Sequence, residues 1–141
     1  MPPDLRQFVE GSLGTLAREA PAFHSRLCAT LLGRRLRVRG DGEPFALHFE
    51  RGLVASVPPD GSEDLHLSVD RRSLLALVDG ELTLEDALRQ DRLELRGDLR
   101  HVIAFFDGLT IYLRGGIRCP SFPQLLTDFR RSKPAPAEVS R

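Results

Sequence analysis

Residues 65–113 read LHLSVDRRSLLALVDGELTLEDALRQDRLELRGDLRHVIAFFDGLTIYL, and the order of patterns in this stretch decides the fold. Two short alternating segments, Leu65–Val69 and Leu93–Arg96, flank two short amphipathic helices. Side chains alternate across a strand, so Leu65, Leu67 and Val69 share one face. Asp70 is placed to cap a helix running to Asp79, and Gly80 stands where a C-terminal glycine belongs. Leu74, Leu75, Leu77 and Val78 give that helix an apolar side. Thr83, with Asp86 three residues on, resembles a capping box for a helix over Thr83–Gln90. Gly97-Asp98 then turns into a long helix, about Leu99 to Leu113, with Asp98 as its cap. Leu99, Val102, Ile103, Phe106, Leu109 and Leu113 make one stripe, which Phe105 and Tyr112 widen. A helix packed once against a sheet needs an apolar arc of about 100° or somewhat more. The wider arc here predicts two apolar neighbours. Gly108 costs this helix about 1 kcal/mol relative to alanine and allows a kink or a close approach.

Outward from this stretch the same periods repeat. Asp4 can cap a helix over Leu5–Glu19, with Leu5, Phe8, Val9, Leu13 and Leu16 on one face. Pro21 lacks an N–H and restricts Ala20, so it forces a break before a second run from Ala22 to Leu32, stopped by Gly33. The period then falls from 3.6 to 2. Leu36 and Val38 alternate with arginines; Phe45, Leu47 and Phe49 follow a glycine-rich turn; Arg51-Gly52 leads to Leu53–Val57; and Pro58-Pro59-Asp60-Gly61 turns toward Leu65. Connections this short predict antiparallel neighbours with one buried and one wet face, the wet face carrying the arginines, His48, Ser56, His66 and Ser68. A short helix after Cys119-Pro120 carries Phe122, Leu125, Leu126 and Phe129. Residues 132–141, SKPAPAEVSR, offer no core residues and are expected to be disordered, leaving 1–131 as a single domain.

Composition excludes several functions. Twenty basic and twenty acidic side chains cancel, which argues against a nucleic-acid partner. No apolar run approaches the roughly 20 residues of a membrane span, and MPPDLRQFVE lacks the core of a signal peptide. Cys28 and Cys119 read as reduced thiols of a cytoplasmic protein, with a disulfide between them left open. Nineteen of the twenty basic residues are arginine; arginine codons are GC-rich, which suggests a GC-rich bacterial genome.

From Phe45 to about Leu113 the chain resembles the sterol carrier protein 2 domain, the nonspecific lipid-transfer family. The resemblance rests on the hairpin at Glu50-Arg51-Gly52, on Leu65-His66-Leu67-Ser68-Val69-Asp70, on Leu74-Leu75-Ala76-Leu77-Val78-Asp79-Gly80-Glu81-Leu82, on the helix Leu84–Leu88 and on Leu93-Glu94-Leu95-Arg96-Gly97-Asp98-Leu99. It implies an α+β fold: a five-stranded, mostly antiparallel sheet with helices covering one face and an apolar tunnel between them. It also implies a ligand class of sterols, fatty acids, acyl-CoA esters or isoprenoid lipids. The residues expected to line the tunnel are Leu75, Val78, Leu82, Leu88, Leu95, Leu99, Val102, Ile103, Phe106, Leu109 and Leu113. Asp91 departs from the pattern, since many members have glycine there.

Catalysis finds little support. His24, His48, His66 and His101 show no metal spacing, and no nucleophile-elbow motif frames the serines. The expectation is a non-enzymatic lipid carrier with neither cofactor nor metal. Its partners would be the lipid, a lipid enzyme, and transiently a membrane surface. The last rests on Arg34, Arg35, Arg37 and Arg39, which read first as a solvated strand face and second as a dock for anionic phospholipid heads. The alternative is an accessory or scaffold protein with a vestigial cavity.

Overall fold

The computed structural model describes residues 4–40 and 42–131; the expectation for 132–141 falls outside them. Helix α1 (Leu5–Glu19) begins at Asp4, whose side chain accepts from the Gln7 N–H while the Gln7 side chain accepts from the Asp4 N–H. This reciprocal box satisfies two otherwise orphaned donors. Helix α2 (Pro21–Thr30) has proline at its first position, where no N–H is needed.

Four strands follow, β1 (Arg35–Arg39), β2 (Phe45–Glu50), β3 (Leu53–Val57) and β4 (Leu65–Val69), then α3 (Arg71–Asp79), α4 (Leu84–Arg89), β5 (Leu93–Gly97), α5 (Leu99–Ile117) and α6 (Phe122–Arg131). The sheet order is β3-β2-β1-β4-β5. It is antiparallel throughout except at its centre, where β1 and β4 run parallel, with Leu36 beside Leu65 and Val38 beside Leu67. The turn after β3 therefore does not make β3 and β4 neighbours, as connection length alone predicted. The chain passes from the sheet edge to its middle, and Asp64 fixes the landing point: its carboxylate accepts from the Arg35 N–H at 2.9 Å while its own N–H donates to the Arg35 carbonyl at 3.0 Å.

The helices cover one face of the sheet. Leu36, Val38, Phe45, Leu47, Phe49, Leu65 and Val69 are buried beneath them. Ser56 is not on the open face. The β2–β3 register sets it opposite Leu47, so it points to the helix side of the sheet, where its hydroxyl favours the charged form of Glu10 in α1. Burial raises the Glu10 carboxyl, but the Arg6 hydrogen bond and the nearby Ser56 hydroxyl outweigh that and hold it below its ordinary value. The apolar alternation of β3 thus serves the open face, where Leu53 is exposed.

Two glycines answer backbone requirements, one steric and one conformational. A Cβ on Gly97, at φ 156°, would lie 2.7 Å from the Asp64 carbonyl oxygen. Gly80 closes α3 in the left-handed region at φ 82°. Asp91 adopts that region too, at φ 57°. The chain makes the turn that glycine would make, using one of the few other residues that tolerate it.

Helix α6 belongs to the core. Phe129 stacks on Phe8 with centroids 4.5 Å apart, and Phe122 meets both Phe8 and Tyr112 edge-on. Arg71 of α3 lies over the Phe129 ring at 4.5 Å and donates to the Phe129 carbonyl, and Arg130 pairs with Asp79. These contacts tie α6 to both α1 and α3.

Candidate functional site, an apolar cavity beneath the helices

Helix α5 packs closely on its neighbours because glycines line its inner side. A Cβ on Gly108 would come within 2.7 Å of Leu31 Cδ1, and one on Gly115 within 2.5 Å of Leu16 Cδ1 and 2.9 Å of Phe23 Cβ. Gly108 thus serves close approach, and α5 continues through it to Ile117.

Even so, the helices do not fill all the space above the sheet. An apolar cavity of about 90 Å³ remains. Its roof is Leu5, Val9 and Leu13 of α1 with Leu27 of α2 and Leu31 at its C-cap. Its floor is Leu36, Val38, Leu47, Phe49, Leu67 and Val69 of the sheet, and Leu74 of α3, with Gly108, Leu109 and Tyr112 of α5, completes it. The sole phenol is committed elsewhere. Tyr112 Oη lies 2.7 Å from Ser12 Oγ, and Ser12 donates its own proton to the Val9 carbonyl at 2.8 Å. The Tyr112 proton therefore goes to Ser12. Burial pushes this phenol up to about 12, against the opposing effect of the Ser12 hydrogen bond.

A wall of this kind binds by excluding water from hydrocarbon and offers nothing to orient a head group. A cavity of about 150 Å³ takes up benzene, so this one in its present form is too small for a whole lipid.

Of the eleven residues expected to line a tunnel, Leu109 is in the cavity wall. Leu82 is buried in the core, and Val78, Leu95, Val102, Phe106 and Leu113 are half-buried against it. Leu75, also half-buried, faces an open cleft beside α3. Leu88, Leu99 and Ile103 are exposed. Sequence reasoning placed Leu5, Val9, Leu13, Leu27 and Leu31 on buried faces without separating cavity from core, because helical spacing cannot tell a side chain that meets a neighbour from one that meets a void.

The cleft beside α3 is far larger, about 1410 Å³ and open to solvent, but it gathers Arg39, Arg71, Arg72, Arg92 and Arg130 with Asp70, Asp79, Glu81, Asp91 and Glu94. Five charges of each sign, with Arg130 already on Asp79, give no net field to attract a charged ligand. Size favours this cleft, but chemistry favours the apolar cavity.

The Arg34–Arg39 run is partly spent on structure. Arg34 Nε donates to His101 Nδ1 at 2.9 Å, and Arg35 lies 3.6 Å from Asp60. Burial raises both thiols, Cys28 and Cys119, with Glu19 adding to the effect at Cys119, and the two are not bonded to each other. Among the described residues, no cluster of His, Cys, Asp and Glu is arranged to hold a metal ion.

The profile of the SCP-2 sterol transfer family matches residues 21–107. No curated protein sequence matches the chain. Among solved structures, a UbiJ-SCP2 ubiquinone synthesis protein is 25% identical, with a TM-score of 0.60, over 77% of this chain and 88% of that one. The sterol carrier protein domain 2 of Helicoverpa armigera is 10% identical, with a TM-score of 0.54, over 91% and 93%. A conserved hypothetical protein of Thermus thermophilus is 16% identical, with a TM-score of 0.51, over 77% and 85%. The last two likenesses concern the fold alone.

Proposed function

This chain belongs to the SCP-2 sterol transfer family, and from that premise we propose that it is a non-catalytic lipid-binding protein acting in the cytoplasm. In this reading it holds the hydrocarbon part of a sterol, fatty acyl or isoprenoid lipid between α1, α2, α5 and the sheet. The observation that carries it is the apolar cavity of about 90 Å³ at the centre of the helical layer. Burial of an alkyl chain contributes about 0.8 kcal/mol per CH₂, enough for affinity without any polar contact. Because the cavity is small, a lipid would enter by parting α5 from the sheet, extending the site along Leu109 toward Val102, Phe106 and Leu113. The head group would stay outside, so discrimination between head groups should be weak.

The chain carries its own probe: Tyr112 is the sole tyrosine, there is no tryptophan, and Tyr112 lines the cavity. Titration of delipidated protein with a long-chain fatty acid, a sterol and a polyprenyl lipid should change tyrosine emission saturably. Native mass spectrometry should show the same lipid bound one to one. If none of the three binds, the carrier reading fails.

A second reading is favoured by the likeness to the UbiJ-SCP2 ubiquinone synthesis protein and by the modest cavity. In it the chain is an accessory factor that meets a quinone-synthesis or other lipid enzyme through its surface, with the cavity vestigial. Purified protein free of lipid, combined with capture of such an enzyme, would favour this reading.

A further inference from the structure

The wide apolar arc of α5 has one side without a covering element among the described residues. Leu99 is 73% exposed, Ile103 53% and Ile117 83%. At 100° per residue, these three fall with Thr110, Phe106 and Leu113 on one arc, opposite the buried Phe105, Gly108, Tyr112 and Gly115. The stripe is about 27 Å long at 1.5 Å per residue. It is also continuous with the cavity, since Val102, Leu113 and Phe106 lie on the wheel between Leu109 in the cavity wall and the exposed residues.

The charges beside it have one dominant sign. Arg100 and Arg114 of α5 and Arg118 at its C-cap are exposed; Asp107 is the one acidic side chain within the helix, and Asp98 stands at its N-cap. Helix α2, packed alongside, adds Arg26 and no acid. The Arg26 and Arg118 guanidinium groups both lie over the Phe23 ring, at 5.9 and 5.2 Å. Four arginines face two aspartates, Asp107 and Asp98, in a chain whose formal net charge is zero. A second copy seated on this face would bring its own arginines against these, which disfavours self-association. A bilayer with anionic heads complements both features, since aliphatic side chains can enter the acyl boundary while arginines reach the phosphates. No helix among the described residues is long and apolar enough to cross a membrane, so the contact would lie in the interface.

We propose that the outward face of α5 docks on anionic phospholipid bilayers, with Leu99, Ile103 and Ile117 inserted and Arg26, Arg100, Arg114 and Arg118 on the phosphates. This rests on the lipid-binding reading only for its purpose: docking places the α5 wall of the cavity on the bilayer from which a lipid would enter. The contact needs no bound lipid.

The test is flotation of the full chain with phosphatidylcholine vesicles, with and without about a third phosphatidylglycerol, and uptake of a fluorescent fatty acid measured separately in vesicle-free solution. The protein should float with the anionic vesicles and not with the neutral ones. Leu99→Ser with Ile117→Ser, both at exposed positions and checked by thermal melting, should lower binding at least tenfold. Arg100→Gln with Arg114→Gln should lower it several-fold per charge. Arg37→Gln with Arg96→Gln, on the open sheet face, should leave it unchanged. Absence of flotation with anionic vesicles overturns the proposal, as does flotation indifferent to the α5 changes. A self-associated species in sedimentation that the serine variant dissociates also overturns it, because the face would then be a protein interface. Fatty-acid uptake without flotation removes docking and leaves the carrier reading intact; flotation without uptake does the reverse.

Discussion

Tyr112 Oη and Ser12 Oγ stand 2.7 Å apart inside the protein, one hundred residues apart in sequence, and join α5 to α1 across the edge of the cavity. Burial keeps this phenol neutral up to about pH 12, whereas an unfolded tyrosine ionises near pH ~10. Below pH ~10 both states hold the proton and stability does not depend on this group. Between pH ~10 and 12 the unfolded state loses it first, so stability falls as pH rises, by roughly 2–3 kcal/mol in total. Tyrosinate absorbance reports Tyr112 alone, since it is the sole tyrosine, and its appearance should coincide with alkaline unfolding. Tyr112→Phe should cost about 1 kcal/mol at neutral pH and remove this slope. A free phenol titrating near pH ~10 in folded protein would contradict the buried hydrogen bond.

Gly108 and Gly115 should respond differently to alanine. At Gly108 the new Cβ would press on Leu31 Cδ1, the mobile end of a side chain that borders the cavity and can swing into it. Gly108→Ala should therefore stay within about 1 kcal/mol of wild type, helix propensity offsetting the strain, while lipid affinity drops because the cavity is filled. At Gly115 the Cβ would meet Phe23 Cβ at 2.9 Å as well as Leu16. Gly115→Ala should cost about 1–3 kcal/mol. Denaturant unfolding and tyrosine-detected lipid titration check both.

Asp91→Gly should stabilise the protein by about 0.5–1 kcal/mol, because the residue sits at φ 57°, where an L side chain carries a penalty that glycine lacks. Asp91→Val should do the opposite and by more, since a branched Cβ tolerates that region least. Thermal melting of the pair gives the sign directly; a lowered melting temperature for Asp91→Gly would show that the Asp91 side chain contributes more than its backbone costs.

Phe106 is half-buried, meeting Phe105 edge-on at 6.0 Å. Phe106→Trp has solvent-facing room to enter and should change stability by less than about 1–3 kcal/mol, the range for an overpacked core. If lipid enters past this residue, long ligands should bind more weakly to the variant. Unfolding free energy and lipid affinity are to be measured together: a large loss of stability with unchanged affinity would place Phe106 in closed core.

The helix boundaries were legible because capping is local chemistry. Asp4, Asp70 and Thr83 each accept a backbone N–H three residues on, as their spacing predicts. Asp98 begins α5 without such a bond. The parallel β1–β4 pair was not legible, because loop length limits which strands can be neighbours without choosing among them. Ser56 was misplaced because β3 has apolar residues on the open face, and register follows hydrogen bonding to β2 rather than polarity. The side of α5 that turns inward was hidden for a further reason. Beside Phe105 and Tyr112 its buried residues are Gly108, Gly115 and Gly116, and periodicity weighs apolar side chains, whereas close packing at these three positions is marked by their absence.

The cavity wall is assembled from both ends of the chain. Leu5, Val9 and Leu13 precede the segment shared with the family, residues 21–107, and Gly108, Leu109 and Tyr112 follow it. The matched segment supplies the sheet and α2, while much of the roof comes from the flanking sequence. Substitutions in α1 can therefore reshape the cavity without touching the strands that define the fold. On the carrier reading proposed above, exchange of α1 alone between relatives becomes a route to new ligand preference.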